Sequence, residues 1–346
     1  MISETEIFNI SGPSYLTNVD WSCEDHRRSV IASVVQGVYV LEHDRQQNRL
    51  GPKSVAPAWW EFFHFYLNNV LVDNADHSMF GVVLELKLPP TYPKNCSLNA
   101  PKYLIAFRGT LTGPDTRSRD FHLDLKCILN RLHYSSRFQL AVRTIDNTVA
   151  KAGPANVWLA GHSLGSAIAL LAGKNMVKKG YSLPTYLFNS PFTSAPLERI
   201  NHQTVKQGIH IVSSVAKAGL SAALKSRCHN GSHLQENDPF AVLSHWLPYL
   251  FVNPADHICS GYLSYFGHRE TMEKIGAGKI EKLATKHTVE SLLSCALDRN
   301  SEPLHLLPSA QLIVNMGQTL NFRAAHGIEQ WWDPNLRTQS HVYVYN

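Results

Sequence analysis

One serine in this chain lies in a sequence pattern that suits nucleophilic chemistry. Residues 161–165 read Gly-His-Ser-Leu-Gly, and in the pattern Gly-x-Ser-x-Gly the serine stands at a sharp turn between a strand and a helix. Residues 157–160 form a short apolar run typical of a buried strand, and residues 164–173 are small and apolar, as in a buried helix. This context favours Ser163 as a nucleophile over the alternative, an ordinary Gly-Ser turn between two core elements.

An acid beyond the serine is needed to complete such a site. A serine hydroxyl becomes a nucleophile when a base accepts its proton and an acid orients that base. With this pattern the acid follows the serine in the chain, just after a strand. Asp256 meets the requirement, because it comes soon after residues 248–252, a predicted strand. Two alternatives stay open: Asp238, in what reads as a turn or helix start, and a purely structural Asp256 that caps a helix.

Six histidines follow Asp256 and are candidates for the base. They are His257, His268, His287, His305, His326 and His341. The one adjacent to the acid is expected to point away from it, and the two in charged, helical surroundings are expected to be solvated. Both His305 and His326 lie in short apolar segments at loop-like positions. Small neighbours on both sides of His326 suit a loop brought close to the serine, so His326 is the preferred base.

Attack on a carbonyl also needs two N–H donors for the oxyanion that forms. The backbone N–H of Leu164, the residue after the nucleophile, is one donor. The second is expected from the loop after an earlier strand. Thr110 is placed for this role, with Gly109 before it allowing the backbone to turn inward.

The elements around these residues predict an α/β fold. Strands are expected at residues 79–88, 102–107, 157–160, 185–189, 248–252 and, at the edge, 341–345; helices are expected at 25–47, 59–67, 118–134, 137–152, after Ser163, and around 269–298. The alternation of strand and helix across residues 79–191 predicts a mostly parallel central sheet with flanking helices. Residues 195–245 show no strand pattern and are predicted to be an inserted helical cap or lid, or else a packed surface helix pair.

Length, charge and cysteine usage set the wider expectations. The 346 residues are enough for one domain, residues 1–346, that carries insertions. The net charge of +5 is small and the basic residues are scattered, so no nucleic-acid partner is expected. Residues 1–10 lack the pattern of an export signal and no 18-residue apolar span occurs, so a cytoplasmic protein is expected. The six cysteines form no Cys-x-x-Cys pair and are expected to be reduced and mostly buried.

Two of these segments together resemble a known family. Residues 105–110 (Ile-Ala-Phe-Arg-Gly-Thr) and the Gly-His-Ser-Leu-Gly segment are similar to the Phe-Arg-Gly-[Ser/Thr] loop and the serine turn of the fungal-lipase-like, or class 3 lipase, α/β-hydrolases. The resemblance extends over nearly the whole chain to a plant group of lipase-like proteins, through residues 57–65 and 325–332. Members of that group are often labelled GDSL esterase/lipase, although no Gly-Asp-Ser-Leu motif occurs here.

This resemblance implies an α/β-hydrolase fold and a set of site residues. It implies Ser163 as nucleophile, Asp256 as acid, and Thr110 with Leu164 at the oxyanion hole. The histidine departs from the fungal pattern, in which it lies in His-Leu-x-Tyr-Phe before a C-terminal strand. His341 begins a segment that imitates this pattern, whereas His326 lies in the stretch characteristic of the plant group. His326 is therefore ranked first and His341 second.

The expected function is that of a serine carboxylester hydrolase, a lipase or esterase that cleaves an acyl lipid or small ester through an acyl-enzyme intermediate. No metal or organic cofactor is expected, since no His-Glu-x-x-His or Walker pattern is present. Transient contact with a lipid surface is compatible with such a substrate, and the oligomeric state is open. Two alternatives remain: a lipase-like binding or scaffold protein with weak or absent turnover, and an acyltransferase that passes the acyl group to an alcohol instead of water.

Overall fold

A single sheet runs through the part of the chain that the structure describes. In the computed structural model, the described residues are 6–111, 125, 129, 132–192, 239–274, 306–319 and 321–345. Eight strands hydrogen-bond in the order in which they occur in the sequence. They are β1 (Phe65–Val72), β2 (Met79–Leu86), β3 (Tyr103–Phe107), β4 (Val157–His162), β5 (Thr185–Phe188), β6 (Tyr249–Val252), β7 (Ala310–Asn315) and β8 (Thr338–Tyr343).

The direction of the strands brings several loops to one edge of the sheet. Strands β3 to β7 run parallel, whereas β1, β2 and β8 pair with their neighbours in antiparallel fashion. The predicted α/β-hydrolase architecture, with a mostly parallel central sheet, is therefore confirmed. Because the carboxyl ends of parallel strands lie at the same edge, the segments that follow β3, β4, β5 and β6 meet there.

Helices cover both faces of this sheet. They are α1 (Glu6–Ser11), α2 (Glu24–Gln46), α3 (Ala58–Glu61), α4 (Lys94–Ser97), α5 (Ser136–Ala152), α6 (Leu164–Lys178), α7 (Pro239–Leu243), α8 (Gly261–Lys274) and α9 (Phe322–His326), with 3-10 turns at Gly51–Lys53, Leu132–Tyr134, Pro154–Asn156 and Ile328–Trp332. An apolar cluster with α2 covers one face, and a second with α5 and α6 covers the other. Leu159 in β4 joins the α6 cluster, and Trp158 and Ala160 join the α2 cluster. Strand β4 is thus buried on both faces, which explains its continuous apolar run.

Helix α2 confirms the helix predicted at residues 25–47. Five apolar residues, which recur at three- and four-residue intervals on one face of the helix, have 0% exposure: Val30, Ile31, Val34, Val35 and Val38. The first turn carries Glu24 and Asp25, which suits the positive N-terminal end of the helix dipole. Near the other end, the buried Asp44 carboxylate accepts the N–H groups of Val55 and Ala56, at 3.0 and 2.9 Å. These bonds tie the loop after α2 back to the helix.

Two glycines allow α6 to approach the sheet closely. A Cβ atom on Gly165 would lie 2.3 Å from the carbonyl oxygen of Phe107 in β3, and one on Gly161 would lie 2.3 Å from the carbonyl oxygen of Gly165. Both contacts are with backbone atoms in a packed interior, which have little room to move aside. Strands β3 and β4 and helix α6 therefore touch at the turn that carries Ser163.

The prediction of one helix at residues 59–67 is wrong. Helix α3 ends at Glu61, the chain turns at His64, where φ is 64°, and Phe65 begins β1. Strand β1 pairs with β2, so the two form an antiparallel hairpin at the edge of the sheet. Aromatic residues suit a strand as well as a helix, and pairing with β2 decides between the two.

Besides β1, strand β7 was absent from the sequence-based expectations, whereas the edge strand β8 was predicted. Strand β7 is a short apolar run between β6 and β8, and such a run by itself does not distinguish a strand from a buried helix. The edge strand predicted at residues 341–345 is confirmed as β8, the last strand of the sheet. It begins earlier, at Thr338.

Several predictions concern residues outside the described part of the chain. The cap at residues 195–245 is described only from residue 239 onwards. The helix at 118–134 is described only at Leu125, Leu129 and the turn at its end, and the helical region at 269–298 only as far as Lys274. Helix α8, which enters that last region, begins at Gly261, earlier than predicted.

The described cysteines correct one expectation. Cys23, Cys96 and Cys259 are free thiols. Cys259 is buried, but Cys23 and Cys96 are only partly buried, so the expectation that the cysteines are mostly buried is wrong for these two. Among the helices that the structure describes, none is long and apolar enough to cross a membrane.

Replacing Gly165 by alanine tests the close contact between α6 and β3. The new methyl group would overlap the carbonyl oxygens of Phe107 and Arg108, so we expect Gly165→Ala to lower the free energy of unfolding by about 1–3 kcal/mol. Urea titrations followed by tryptophan fluorescence measure this change. The matched control is Gly267→Ala in α8, where an added Cβ meets no atom of the described residues within 4 Å; this variant should be neutral or up to about 1 kcal/mol more stable. Equal stability of the two variants would contradict the contact.

Candidate active site

Ser163 occupies a strained turn between β4 and α6. Its backbone angles are φ 54° and ψ −124°, a combination that non-glycine residues rarely adopt and that costs of order 1–3 kcal/mol. Its N–H donates to the carbonyl of Phe188 at 3.0 Å, and its own carbonyl accepts the N–H groups of Ser166 and Ala167, at 3.0 and 3.2 Å. These bonds hold the turn, and α6 begins at the next residue.

The structure brings together three of the side chains singled out from the sequence. The Oγ atom of Ser163 lies 3.0 Å from Nε2 of His326, and Nδ1 of the same ring lies 2.9 Å from Oδ2 of Asp256. Because an ionised carboxylate can only accept, Nδ1 carries the proton of the neutral ring. Nε2 is then the acceptor for the serine hydroxyl. This is the tautomer that a general base for serine requires.

Asp256 is fully buried and its carboxylate accepts four hydrogen bonds. Besides the bond from His326, Oδ2 accepts from Nδ2 of Asn189 at 2.8 Å and from the Cys259 thiol at 3.2 Å, and Oδ1 accepts the N–H of Ile258 at 3.0 Å. Burial alone would raise the pKa of Asp256. The hydrogen bond and charge of His326, together with the Asn189 and Ile258 bonds, instead hold the pKa of this carboxyl below its usual value. Asp256 therefore stays ionised at neutral pH.

His326 is the last residue of α9, a short helix where the sequence predicted a loop. The N-cap of this helix is Asn321, whose Oδ1 accepts the N–H of Ala324 at 2.9 Å. Two rings pack against the imidazole of His326. Phe322 stacks on it with centroids 5.5 Å apart and an interplanar angle of 11°, and the centroid of the His162 ring lies 4.9 Å away. These contacts restrict how far the imidazole can rotate.

The backbone around His326 is held by two amide side chains that the sequence did not single out. The carbonyl of Ala325 accepts from Nδ2 of Asn189 at 3.0 Å and from Nε2 of Gln330 at 2.8 Å, and the carbonyl of Gly327 accepts from Gln330 at 2.7 Å. Asn189 follows β5 directly and has a positive φ of 48°. A polar residue at the carboxyl end of a buried strand is the signal that would have found it.

The oxyanion candidates lie next to the serine. A Cβ atom on Gly109 would lie 2.9 Å from Cβ of Ser163, so only glycine fits there. The N–H of Gly109 donates to Oη of Tyr39 at 2.7 Å, and its carbonyl accepts from Nη1 of Arg108 at 2.7 Å. Because C=O and N–H point in opposite directions across a trans peptide, the N–H of Thr110 points away from the Arg108 guanidinium that binds the carbonyl of Gly109.

Leu164 begins α6, and the first N–H groups of a helix have no partner within it. They also lie at the positive end of the helix dipole. Of the predicted pair, Leu164 follows Ser163 directly, and Thr110 follows Gly109, which lies against Ser163. Ser163 itself is only 2% exposed, whereas Thr110 and His326 are partly exposed, so the site reaches solvent at these two residues.

His162 is a second histidine at the site. Its Nε2 lies 2.7 Å from the carbonyl oxygen of His326, and its Nδ1 lies 2.8 Å from Oη of Tyr39. Burial, and then the neighbouring His326, lower the pKa of His162 to about 3. Burial likewise raises the pKa of Tyr39. Both groups are therefore neutral at physiological pH.

The remaining histidine candidates lie elsewhere or outside the described residues. His341 is exposed on β8, opposite Leu312, so the structure brings His326 and not His341 to the serine. The ring of His257 packs on Phe322 at 4.4 Å, and His268 lies in α8. The structure does not describe His287, His305 or Asp238. Within the described residues, no group of three His, Cys, Asp or Glu side chains is arranged to hold a metal ion.

This chain matches a protein family over part of its length and one known protein over its whole length. The family Lipase (class 3) matches residues 104–197, which contain both the Arg-Gly-Thr loop and the serine turn. Over 352 aligned residues, the chain is 45% identical to an Arabidopsis thaliana protein named as a GDSL esterase/lipase, and the match covers 100% of this chain and 99% of that protein. The relationship with that protein is thus not confined to the serine turn.

Two solved structures are also similar. One is a lipase from Rhizopus microsporus var. chinensis, at 14% identity over 49% of this chain and 58% of that one, with a TM-score of 0.27. The other is an esterase from Pyrobaculum calidifontis, at 12% identity over 76% of this chain and 92% of that one, with a TM-score of 0.29.

The lowered pKa of His162 predicts a specific pH dependence of stability. The folded protein keeps His162 neutral until pH nears 3, whereas the unfolded chain protonates it near pH 6.5. Between these values the unfolded state binds more protons, so stability falls as pH decreases. From pH 7 to pH 5, the wild type should lose about 2 kcal/mol more unfolding free energy than His162→Asn. Urea titrations of both proteins at the two pH values measure this difference, and parallel losses would contradict a buried neutral His162.

Proposed function

Because the chain belongs to the class 3 lipase-like family, whose members are lipases and esterases with the α/β-hydrolase fold, we propose that it is a serine carboxylester hydrolase. It would cleave acyl lipid esters through an acyl-enzyme intermediate. The observation that carries the proposal is the hydrogen-bonded series from Ser163 through His326 to Asp256.

In the proposed first step, Oγ of Ser163 attacks the ester carbonyl while Nε2 of His326 takes its proton. The imidazolium that forms is stabilised by the ionised Asp256 at Nδ1. The negative charge on the carbonyl oxygen is stabilised by the N–H groups of Thr110 and Leu164. An oxyanion donor of this kind contributes about 3–4 kcal/mol to the transition state.

The second half of the reaction reuses the same groups. His326 gives its proton to the departing alcohol, which leaves the acyl group on Ser163. A water molecule then loses a proton to His326 and attacks the acyl-enzyme. The bond between the acyl carbon and Oγ of Ser163 breaks, Oγ takes the proton back from His326, and the acid is released. No step needs a metal ion or an organic cofactor. An alcohol in place of water would make the protein an acyltransferase with the same residues, so the acceptor is decided by what reaches the acyl-enzyme.

Ser163→Ala tests the nucleophile. We expect this variant to lose hydrolysis of a p-nitrophenyl ester by about 10³-fold or more, because the remaining site can bind but not form the acyl-enzyme. It should also lose covalent labelling by a fluorophosphonate probe. Ser340→Ala, on the exposed strand β8, is the control and should react as the wild type does. Full labelling of Ser163→Ala would place the nucleophile elsewhere, and wild-type protein that neither labels nor hydrolyses would favour a binding protein.

Paired histidine variants test the base. We expect His326→Ala to lower kcat by about 10³-fold or more, since Nε2 of His326 is the acceptor of the serine hydroxyl among the described residues. His341→Ala should retain activity, because His341 is exposed on β8. Steady-state kinetics on the same ester compare the two. The opposite ranking would assign the base to His341.

A further inference from the structure

Three loops of the site are linked by one line of hydrogen bonds. Gly109, in the loop after β3, donates its N–H to Oη of Tyr39 at 2.7 Å. The hydroxyl of Tyr39 lies 2.8 Å from Nδ1 of His162, and Nε2 of His162 lies 2.7 Å from the carbonyl oxygen of His326. The line therefore runs from the oxyanion loop, through the serine turn, to the residue that faces the serine hydroxyl.

The chemistry of the four groups fixes the direction of every bond. A carbonyl oxygen can only accept, so Nε2 of His162 carries the proton. The neutral ring then has an acceptor at Nδ1, which receives the hydroxyl proton of Tyr39. The lone pairs of Tyr39 in turn accept the N–H of Gly109. Every donor thus has one acceptor, and reversing any bond would leave a donor or an acceptor unpaired.

The positions of the two side chains follow from their secondary structure. His162 is the last residue of β4 and has the same parity as Trp158 and Ala160, whose side chains face α2. Tyr39 comes four residues after the buried Val35 in α2, so it lies on the face of that helix that packs on the sheet. The helix and the strand therefore present the two groups to each other.

We propose that Tyr39 and His162 are positioning residues that hold the Thr110 amide and the His326 imidazole in register with Ser163. The inference rests on the proposed ester hydrolysis and adds the means by which its parts are aligned. Neither residue touches the reacting atoms of the ester. Tyr39 fixes the N–H of Gly109 while Arg108 fixes the carbonyl of Gly109. Arg108 thus holds the peptide that presents the Thr110 N–H, and Tyr39 holds the peptide immediately before it.

At its other end, the line of hydrogen bonds reaches the backbone of His326. The carbonyl of His326 is held by His162, while Asn189 and Gln330 hold the carbonyl of the residue before it. Without the His162 bond, the carbonyl of His326 would lose the donor Nε2 of the buried His162, which is unfavourable. A displacement of about 1 Å at a reacting group can lower the rate about 100-fold. The line is therefore positioned to affect kcat through geometry.

The isosteric variant Tyr39→Phe tests this role by removing only the hydroxyl. We expect kcat for a p-nitrophenyl ester to fall about 10- to 100-fold with KM changed by less than about threefold, because the transition state loses alignment while the binding surface stays. The matched control is Tyr92→Phe, which likewise removes one tyrosine hydroxyl. That hydroxyl lies away from the site and donates to the backbone carbonyl of Val19. Circular dichroism and thermal unfolding of both variants establish that they are folded.

Two replacements of His162 separate the two ends of the line. Glutamine places an N–H donor near the position of Nε2, and asparagine places an acceptor near the position of Nδ1. We expect His162→Gln to retain more of the wild-type kcat than His162→Asn, since it keeps the bond to His326. In the double variant Tyr39→Phe/His162→Asn the losses should not multiply, because both changes break the same line.

The outcomes separate this inference from the proposed function. No hydrolysis by the wild-type protein overturns the proposed function and the positioning role with it. Hydrolysis by the wild type with an unchanged kcat in Tyr39→Phe overturns the positioning role alone. A purely structural role predicts a lower melting temperature with unchanged kcat for the folded fraction. Losses in the double variant that multiply as independent effects would likewise contradict a single connected line.

Discussion

The site depends on the contact of three backbone segments around Gly165. Because neither Gly161 nor Gly165 has a side chain, β4 can turn into α6 within one residue, and α6 can lie against β3. That turn forces Ser163 into backbone angles that cost of order 1–3 kcal/mol. Its hydrogen bonds to Phe188, Ser166 and Ala167 hold it there. The hydroxyl is consequently placed at the carboxyl edge of the sheet, beside the N-terminus of a helix.

A second constraint is the buried charge of Asp256. An ionised carboxylate without partners is very unfavourable in a protein interior, yet Asp256 is fully buried. Its donors come from three parts of the chain: Asn189 follows β5, Ile258 and Cys259 follow Asp256 in its own turn, and His326 ends α9. The charge is therefore stable only when the strands have assembled. The same assembly gives His326 its tautomer, so buried charge and base orientation arise together.

The sequence indicated parts of the fold better than others, and the reason is whether the signal is local. The apolar face of α2 and the turn at Ser163 depend on spacing within a few residues, and both elements form as predicted. The aromatic segment 59–67 does not form the predicted helix, because its second half belongs to β1 and is stabilised by pairing with β2. Strand β7 likewise depends on its partners β6 and β8. Pairing between strands leaves little trace in the composition of either strand.

Local pattern was enough to select Ser163, Asp256, His326 and Thr110 as candidates, since each has a residue type and a neighbouring element typical of its chemistry. Ranking His326 above His341 used the surroundings of each, and the folded chain shows which of them contacts Ser163. Asn189, Gln330 and the pair Tyr39 and His162 could be found only in three dimensions. The residue types asparagine, glutamine and tyrosine do not by themselves indicate a role. His162 lies within the serine motif, but the motif does not show what its ring contacts. Their importance lies in hydrogen bonds between segments far apart in the chain, and only folding brings those segments together.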